Sequence, residues 1–400
     1  MVIPKLRFKE FTDEWNKKKL GEISESISYG MNSAATEFDG KNKYIRITDI
    51  DENSSTFNQK NLVSPLKKLE DKFLVKNNDI LFARTGASTG KTYLYNENDG
   101  ILYYAGFLIK ASINKEFNSR FIFEQFNLKK YSDWIKLMSM RSGQPGINAN
   151  EYASYELSLT TKLEQDKISG MLELLNKKIE LQSKKIEVLK LYKKGICTSI
   201  FAQNENYDYK LLSDLDIYIS DGNYGEMYPN SNELKDNGDI PFIRVNNLKN
   251  LRLTTENMKY ISAKKHQILL SGHLKENDIL ITTRGEIGKV AIVDKKFVDA
   301  NINAQIALLR VNNRSLINPY FILEYLNYNN KYIQSFQTGS ALKQLPIKNL
   351  KKLKIPELNI DKQNKIGRYF NMYNYKLMLE NNKLNKLREL KKRLMQNMFV

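Results

Sequence analysis

Two stretches of the chain place apolar residues at alternating steps of three and four. In the first these are Ile168, Leu172, Leu175, Ile179, Ile186, Leu189, Ile196 and Ile200. In the second they are Ile366, Phe370, Tyr373, Leu377, Leu384, Leu387, Leu394 and Met398. The first series skips Gln182 and Lys193, and the second skips Glu380 and Lys391. Every position of the second lies the same distance beyond its counterpart in the first, polar gaps included. Such spacing is a heptad seam. Two unrelated amphipathic surface helices would be the plainer reading, but they would not share one phase and the same gaps. The pattern predicts two long helices that pair with each other as an antiparallel coiled coil, each ~50 Å long at 1.5 Å per residue. Thr161-x-x-Glu164 predicts a capping box at the start of the first helix, and the second start lacks one.

The duplication extends beyond the helices. KYIRITDI (43–50) matches PFIRVNNL (241–248), and NNDILFARTGASTGKTYLY (77–95) matches ENDILITTRGEIGKVAIV (276–293). KLEQDKISGML (162–172) matches NIDKQNKIGRYF (359–370). The stretches ahead of each helix hold short apolar runs, NDILFA, ILYYAGFLIKASI and KVAIVD, broken by Gly, Asn and Asp. Helical segments such as SRFIFEQFNLKKYSDWIKLM are interspersed. The fold class expected is therefore α+β: two mixed α/β heads alternating with two paired helices, a pseudo-two-fold internal repeat. The expected boundaries are 1–160 for the first head, 161–203 for the first helix, 204–358 for the second head and 359–400 for the second helix. An antiparallel return of the second helix would give a dumbbell, two heads held apart by a helical rod.

Charge narrows the partners. The 400 residues carry a net charge of +18, which attracts polyanions, nucleic acid first. No apolar run reaches the ~18–20 residues of a membrane span, and the opening MVIPKLRFKEF lacks the apolar core of a signal peptide. A cytoplasmic protein without a membrane partner is expected. One cysteine excludes an internal disulfide framework, and with only two histidines a Cys/His zinc site is not expected.

Several motifs test for catalysis. RTGASTGKT (84–92) approaches a phosphate-binding loop, but the first Gly is misplaced by one residue, and TYLYN after Lys91 reads as a strand. The sister loop RGEIGKV (284–290) has no Ser or Thr after Lys289. Both copies describe a hairpin with a basic tip, either a purely structural turn or one that holds a DNA phosphate. NPYF (318–321) resembles an adenine-methylase motif, but the chain has no G-x-G cofactor loop, and Asn-Pro reads better as an N-cap followed by proline. No nucleophile–His–acid set or paired carboxylates appear. No catalytic, metal or cofactor residue is expected in this chain.

The strand-rich head with NNDILFARTGASTGK, the loop RSGQPGIN (141–148), the helix from LEQDKI and the repetition of that order resemble the specificity subunit of a type I restriction–modification system, and so does the opening PKLRFKEFTDEWNKKKLGEI. The resemblance spans essentially the whole chain. It implies that each head is a target recognition domain reading one half of a bipartite double-stranded DNA site. It implies that the helices set half-site separation and dock two modification subunits, which methylate adenine with S-adenosylmethionine. Restriction subunits would bring ATP- and Mg2+-dependent translocation and cleavage. The chain itself would be no enzyme. A stand-alone DNA-modifying enzyme with unrecognised motifs, or a basic coiled-coil scaffold, are the alternatives.

Side chains suited to base edges or phosphates on loops give the candidate DNA contacts. In the first head they are Arg46, Arg84, Thr85, Lys91, Arg141 and Gln144. In the second they are Tyr224, Arg244, Asn246, Arg284, Lys289, Lys343 and Gln344. Arg46 and Arg244 recur at the same place, which equally suits a structural salt bridge.

Overall fold

The computed structural model describes residues 3–52, 54–139, 146–202, 207–340 and 342–400. The chain divides into two compact units, 1–181 with 385–400, and 182–384. Among the described residues no helix is long and apolar enough to cross a membrane.

Each unit is built around one antiparallel four-stranded sheet. In the first unit the strand order is Ser24–Tyr29, Leu108–Ile113, Asp79–Ala83, Thr92–Leu94. In the second it is Ile217–Asp221, Ile306–Val311, Ile279–Thr282, Val290–Ile292. Both sheets are covered on both faces, so their central strands read as continuous apolar runs rather than alternating ones. Successive side chains still point to opposite faces. Ile80 and Phe82 join one core with Phe121 and Leu157, while Leu81 and Ala83 join another with Ile45 and Tyr104. In the second unit Ile279 and Ile281 pack with Phe321 and Leu350, and Leu280 packs with Ile243 and Leu308. The run ILYYAGFLIKASI is not one strand. It turns at 105–107, so Leu102–Tyr104 pairs with Lys43–Ile45 and Leu108–Ile113 enters the four-stranded sheet. The segment from Ser119 likewise forms two helices, Ser119–Gln125 and Lys129–Ser139.

The two long helices are Lys162–Phe201 and Ile360–Met398. Every seam position named from the heptads is buried or half-buried. In the second unit the helices run antiparallel: Tyr373 Oη donates to Leu189 O (2.9 Å), and Gln182 Nε2 donates to Glu380 Oε2 (2.7 Å). In the first unit Ile168 and Leu172 share a core with Leu394, Met395 and Met398. The last turn also meets the chain's beginning, since Leu6 N donates to Asn397 O (2.8 Å) and the Trp15 ring lies 6.3 Å from Phe399.

The polar gaps in the seam have partners. Lys193 Nζ lies 2.8 Å from a carboxylate oxygen of Glu324 and donates to Asn374 Oδ1 (2.7 Å). Asn374 in turn donates to Glu324. In the first unit Lys391 Nζ lies 3.6 Å from Glu124, and Asn176 Nδ2 donates to the same carboxylate at 3.2 Å. Both carboxylates are buried. A buried carboxylate needs such paired cations and donors, because desolvation alone would force it neutral. Glu324 and burial together also act on Cys197 nearby; burial contributes most, and the thiol is pushed up to about 12.

The expected capping box is half made. Thr161 Oγ1 accepts from Glu164 N at 3.4 Å, but the Glu164 carboxylate accepts from the Thr160 hydroxyl rather than from the Thr161 amide. It takes a bidentate pair from Arg7 at 2.8 Å on each oxygen, a stronger charge-assisted contact. At the second start Asn359 Oδ1 accepts from Lys362 N (2.9 Å).

Candidate nucleic-acid interface

The segment that approached a phosphate-binding loop is a hairpin. Ile80 pairs with Leu94 and Phe82 with Thr92; in the other unit Ile279 pairs with Ile292 and Ile281 with Val290. The tips turn through Gly86 at φ +66° and Gly285 at φ +73°, a backbone region that favours glycine. A strand, not a helix, follows Lys91, so no helix N-terminus stands ready for nucleotide phosphates. The NPYF motif is an N-cap: Asn318 Oδ1 accepts from the amides of Tyr320 (2.9 Å) and Phe321 (3.2 Å), with Pro319 opening the helix.

At the base of each tip an arginine lies over a tyrosine ring. Arg84 is 5.0 Å from the centre of Tyr29, and its Nε donates to Gly106 O at 3.1 Å. Arg284 is 5.0 Å from the centre of Tyr224. Contact with the ring fixes where each planar guanidinium sits and leaves N–H donors for a ligand. The Tyr224 hydroxyl donates to Asp221 Oδ2 (2.7 Å); burial first, then that carboxylate, push the phenol up to about 12. It stays protonated at neutral pH.

The polar loops ahead of the long helices join these hairpins. Leu345 N donates to Thr283 O (2.8 Å), and Arg284 forms a bridge with Gln344. The result is a cleft of about 460 Å³ lined by Asp221, Tyr224, Arg284 and Gln344. In the first unit Ile147 N donates to Arg84 O (2.9 Å), and Thr85 bridges Gly146. Arg141 and Gln144 lie outside the described residues.

The remaining candidates sit apart from these stacks. Arg46 makes a two-point contact with Asp49 at 2.8 and 2.9 Å, which raises its pKa. Arg244 N donates to Asn247 Oδ1 (3.0 Å) and its Nη2 to Asn257 O (2.6 Å). Both arginines therefore brace the same local turn. Asn246 is exposed beside it. Lys91 Nζ lies 3.5 Å from Glu52, whose carboxylate is 80% exposed while the lysine side chain is 23% exposed, so solvent screens the pair and it is weak. Lys289 pairs with Glu286, and Lys343 is exposed next to Gln344.

Reading the sequence missed Tyr29, Phe107 and Gln305. Phe107 lies in an apolar run that looks like core, and Tyr29 ends a strand of mixed polarity, yet both are exposed. The available signal was the repeat itself, since the turn after each second sheet partner carries AGF in one copy and NAQ in the other.

Each unit thus repeats one frame, a four-stranded antiparallel sheet with an arginine over a tyrosine at a hairpin, and carries different polar side chains around it. The chain belongs to the type I restriction modification DNA specificity domain family, which it matches over residues 12–191 and 219–389. It is similar to the putative type I restriction enzyme MjaX specificity subunit of Methanocaldococcus jannaschii, 21% identical over 415 residues, covering 96% of this chain and 93% of that protein. The fold resembles the S subunit of a type I restriction–modification system from M. genitalium, with a TM-score of 0.68 at 18% identity, covering 100% and 99% of the two chains. It also resembles a chain solved for complex assembly and conformational transition of the type I R-M system, TM-score 0.53, 16% identity, 98% of each chain.

Proposed function

We propose that this specificity subunit is non-catalytic and that each head reads one half of a bipartite duplex. The observation that carries this is the repeated Arg–Tyr stack at a hairpin tip, set among different neighbours in the two heads. A shared buried frame suits the regular phosphate backbone; differently built tips suit different bases. The net charge of +18 supplies the sequence-independent part of the affinity. Arg84, Thr85, Lys91, Arg284, Lys289, Lys343, Gln344 and Tyr224 serve as contacts, and Arg46 and Arg244 hold the turn that carries Asn246.

The long helices set half-site separation and dock two modification subunits. Exposed apolar residues recur at matching positions on them, Leu174 and Leu181 in the first unit, Met372 and Leu379 in the second. Their recurrence at matching positions, rather than exposure alone, suits a contact with a protein partner. Two matching patches suit two copies of one partner. S-adenosylmethionine chemistry belongs to those partners, and ATP- and Mg2+-dependent cleavage to the restriction subunits. The test is a methylome: the chain co-expressed with its modification subunit in a host lacking adenine methylation, each protein alone as control. A single bipartite motif seen only with both proteins is expected. Methylation by the chain alone would contradict the reading.

A further inference from the structure

The two heads put unlike side chains at one equivalent place. In the first unit Ala83 pairs with Leu108, and the next bond, Arg84 N to Phe107 O at 3.1 Å, sets Arg84 opposite Phe107. In the second unit Thr282 pairs with Ile306, and Thr283 N to Gln305 O at 2.8 Å sets Thr283 opposite Gln305. Residues directly opposite across a sheet share a face. Phe107 and Gln305 are thus the same backbone position in the two copies.

Phe107 is 57% exposed although its neighbour Leu108 is fully buried. The ring contributes little to the core, and it stands across from the guanidinium that Gly106 O and Tyr29 hold in place. Gln305 is exposed as well, and its Oε1 accepts from Asn303 Nδ2 at 3.0 Å. That bond orients the amide while leaving Nε2 and one Oε1 lone pair free, a donor beside an acceptor. In the major groove an apolar side chain marks thymine by its 5-methyl group, and a glutamine amide marks adenine by N6 and N7.

We propose that this position reads a base in each head: Phe107 contacts a thymine methyl in the first half-site, and Gln305 pairs with an adenine edge in the second. The inference rests on the specificity reading above and adds the residue and the base. Its test uses the complex with the modification subunit, on duplexes of the motif found in the methylome. Each thymine of the half-site is replaced in turn by deoxyuridine, which lacks only the methyl. Wild-type complex should lose about fivefold in affinity at one thymine. Phe107→Ala should lose a similar amount on the unmodified duplex and nothing further on the deoxyuridine duplex. Equal weakening of both duplexes by Phe107→Ala, or a half-site made only of G·C pairs, would overturn the proposal. Gln305→Phe should change one base of the second half-site in the methylome and leave the first half-site intact; an unaltered second half-site would overturn that arm. Both side chains are exposed, so unchanged thermal unfolding of the variants is expected. A wild-type complex without any bipartite motif would overturn the functional reading as well; a wild-type motif unaffected by Phe107→Ala would overturn this inference alone.

Discussion

Asn118 and Asn318 do the same work in the two units. Asn118 N donates to Gln165 Oε1 (2.9 Å) and its side chain to Asp166 (2.7 Å), fastening the first head to the start of the first long helix. Asn318 N donates to Gln363 Oε1 (3.0 Å) and its side chain to Asn364 (2.7 Å), fastening the second head to the second helix. The Glu–Asn–Lys network recurs in the same way. At the hairpin tip the copies part company. The sheet register puts Arg84 level with Thr283 and Thr85 level with Arg284, a slip of one residue. Each arginine still finds a tyrosine, but Tyr29 lies within a strand and Tyr224 in the loop after one. Buried frame positions are thus repeated with their partners, while the tip is rebuilt. A one-residue slip in a strand reverses which face a side chain meets, so a diverged tip is a different reading surface on one scaffold.

The sharpest way to break the comparison is at the shared network. Glu324→Ala strands Lys193, whose side chain is 12% exposed, and should cost about 3–5 kcal/mol. Glu124→Ala should cost less, about 1–2 kcal/mol, because Lys391 is 3.6 Å away and more exposed. Hydrogen exchange under denaturant, read separately for residues of each unit, measures both. Equal losses would mean that the two networks differ only in appearance. At the tips the expectation is symmetrical: Lys91→Ala and Lys289→Ala should each reduce the slope of log affinity against log salt by about 1, for any duplex sequence. Binding of the assembled complex at several salt concentrations checks this, and a sequence-dependent loss would make either lysine a base contact. The smallest effect concerns the seam. Glu380 is held below its ordinary value, first by Gln182 and then by Lys185. A depressed carboxylate stabilises the fold above its unfolded pKa, and that contribution is lost as pH falls through the folded value. Stability of the helix pair should therefore decline below pH ~4.5, and Glu380→Gln should flatten that decline in acid titration of the unfolding midpoint.

The seam was legible in the sequence because its eight apolar positions and two gaps recur in a fixed phase, and packing obeys that phase. The hairpins were legible because Asn-Asp before a β-rich run and Gly-Lys after it leave few other backbone solutions. Three features were not. Glu124 and Glu324 lie in apolar helices, and only the fold shows that each meets an Asn and a Lys from remote sequence. Glu164 obeys the local capping pattern but is claimed by Arg7, a tertiary partner that outcompetes the local bond. The Tyr224–Arg284 stack joins residues on separate loops, and the one-residue slip at the tip hides it from any alignment of the repeats.

The most direct test of the account exchanges residues 1–160 for the first head of another specificity subunit and reads the methylome of the resulting complex. One half of the motif should change, with the other half and the distance between them retained. A change in both halves would contradict the claim that each head reads its own half-site.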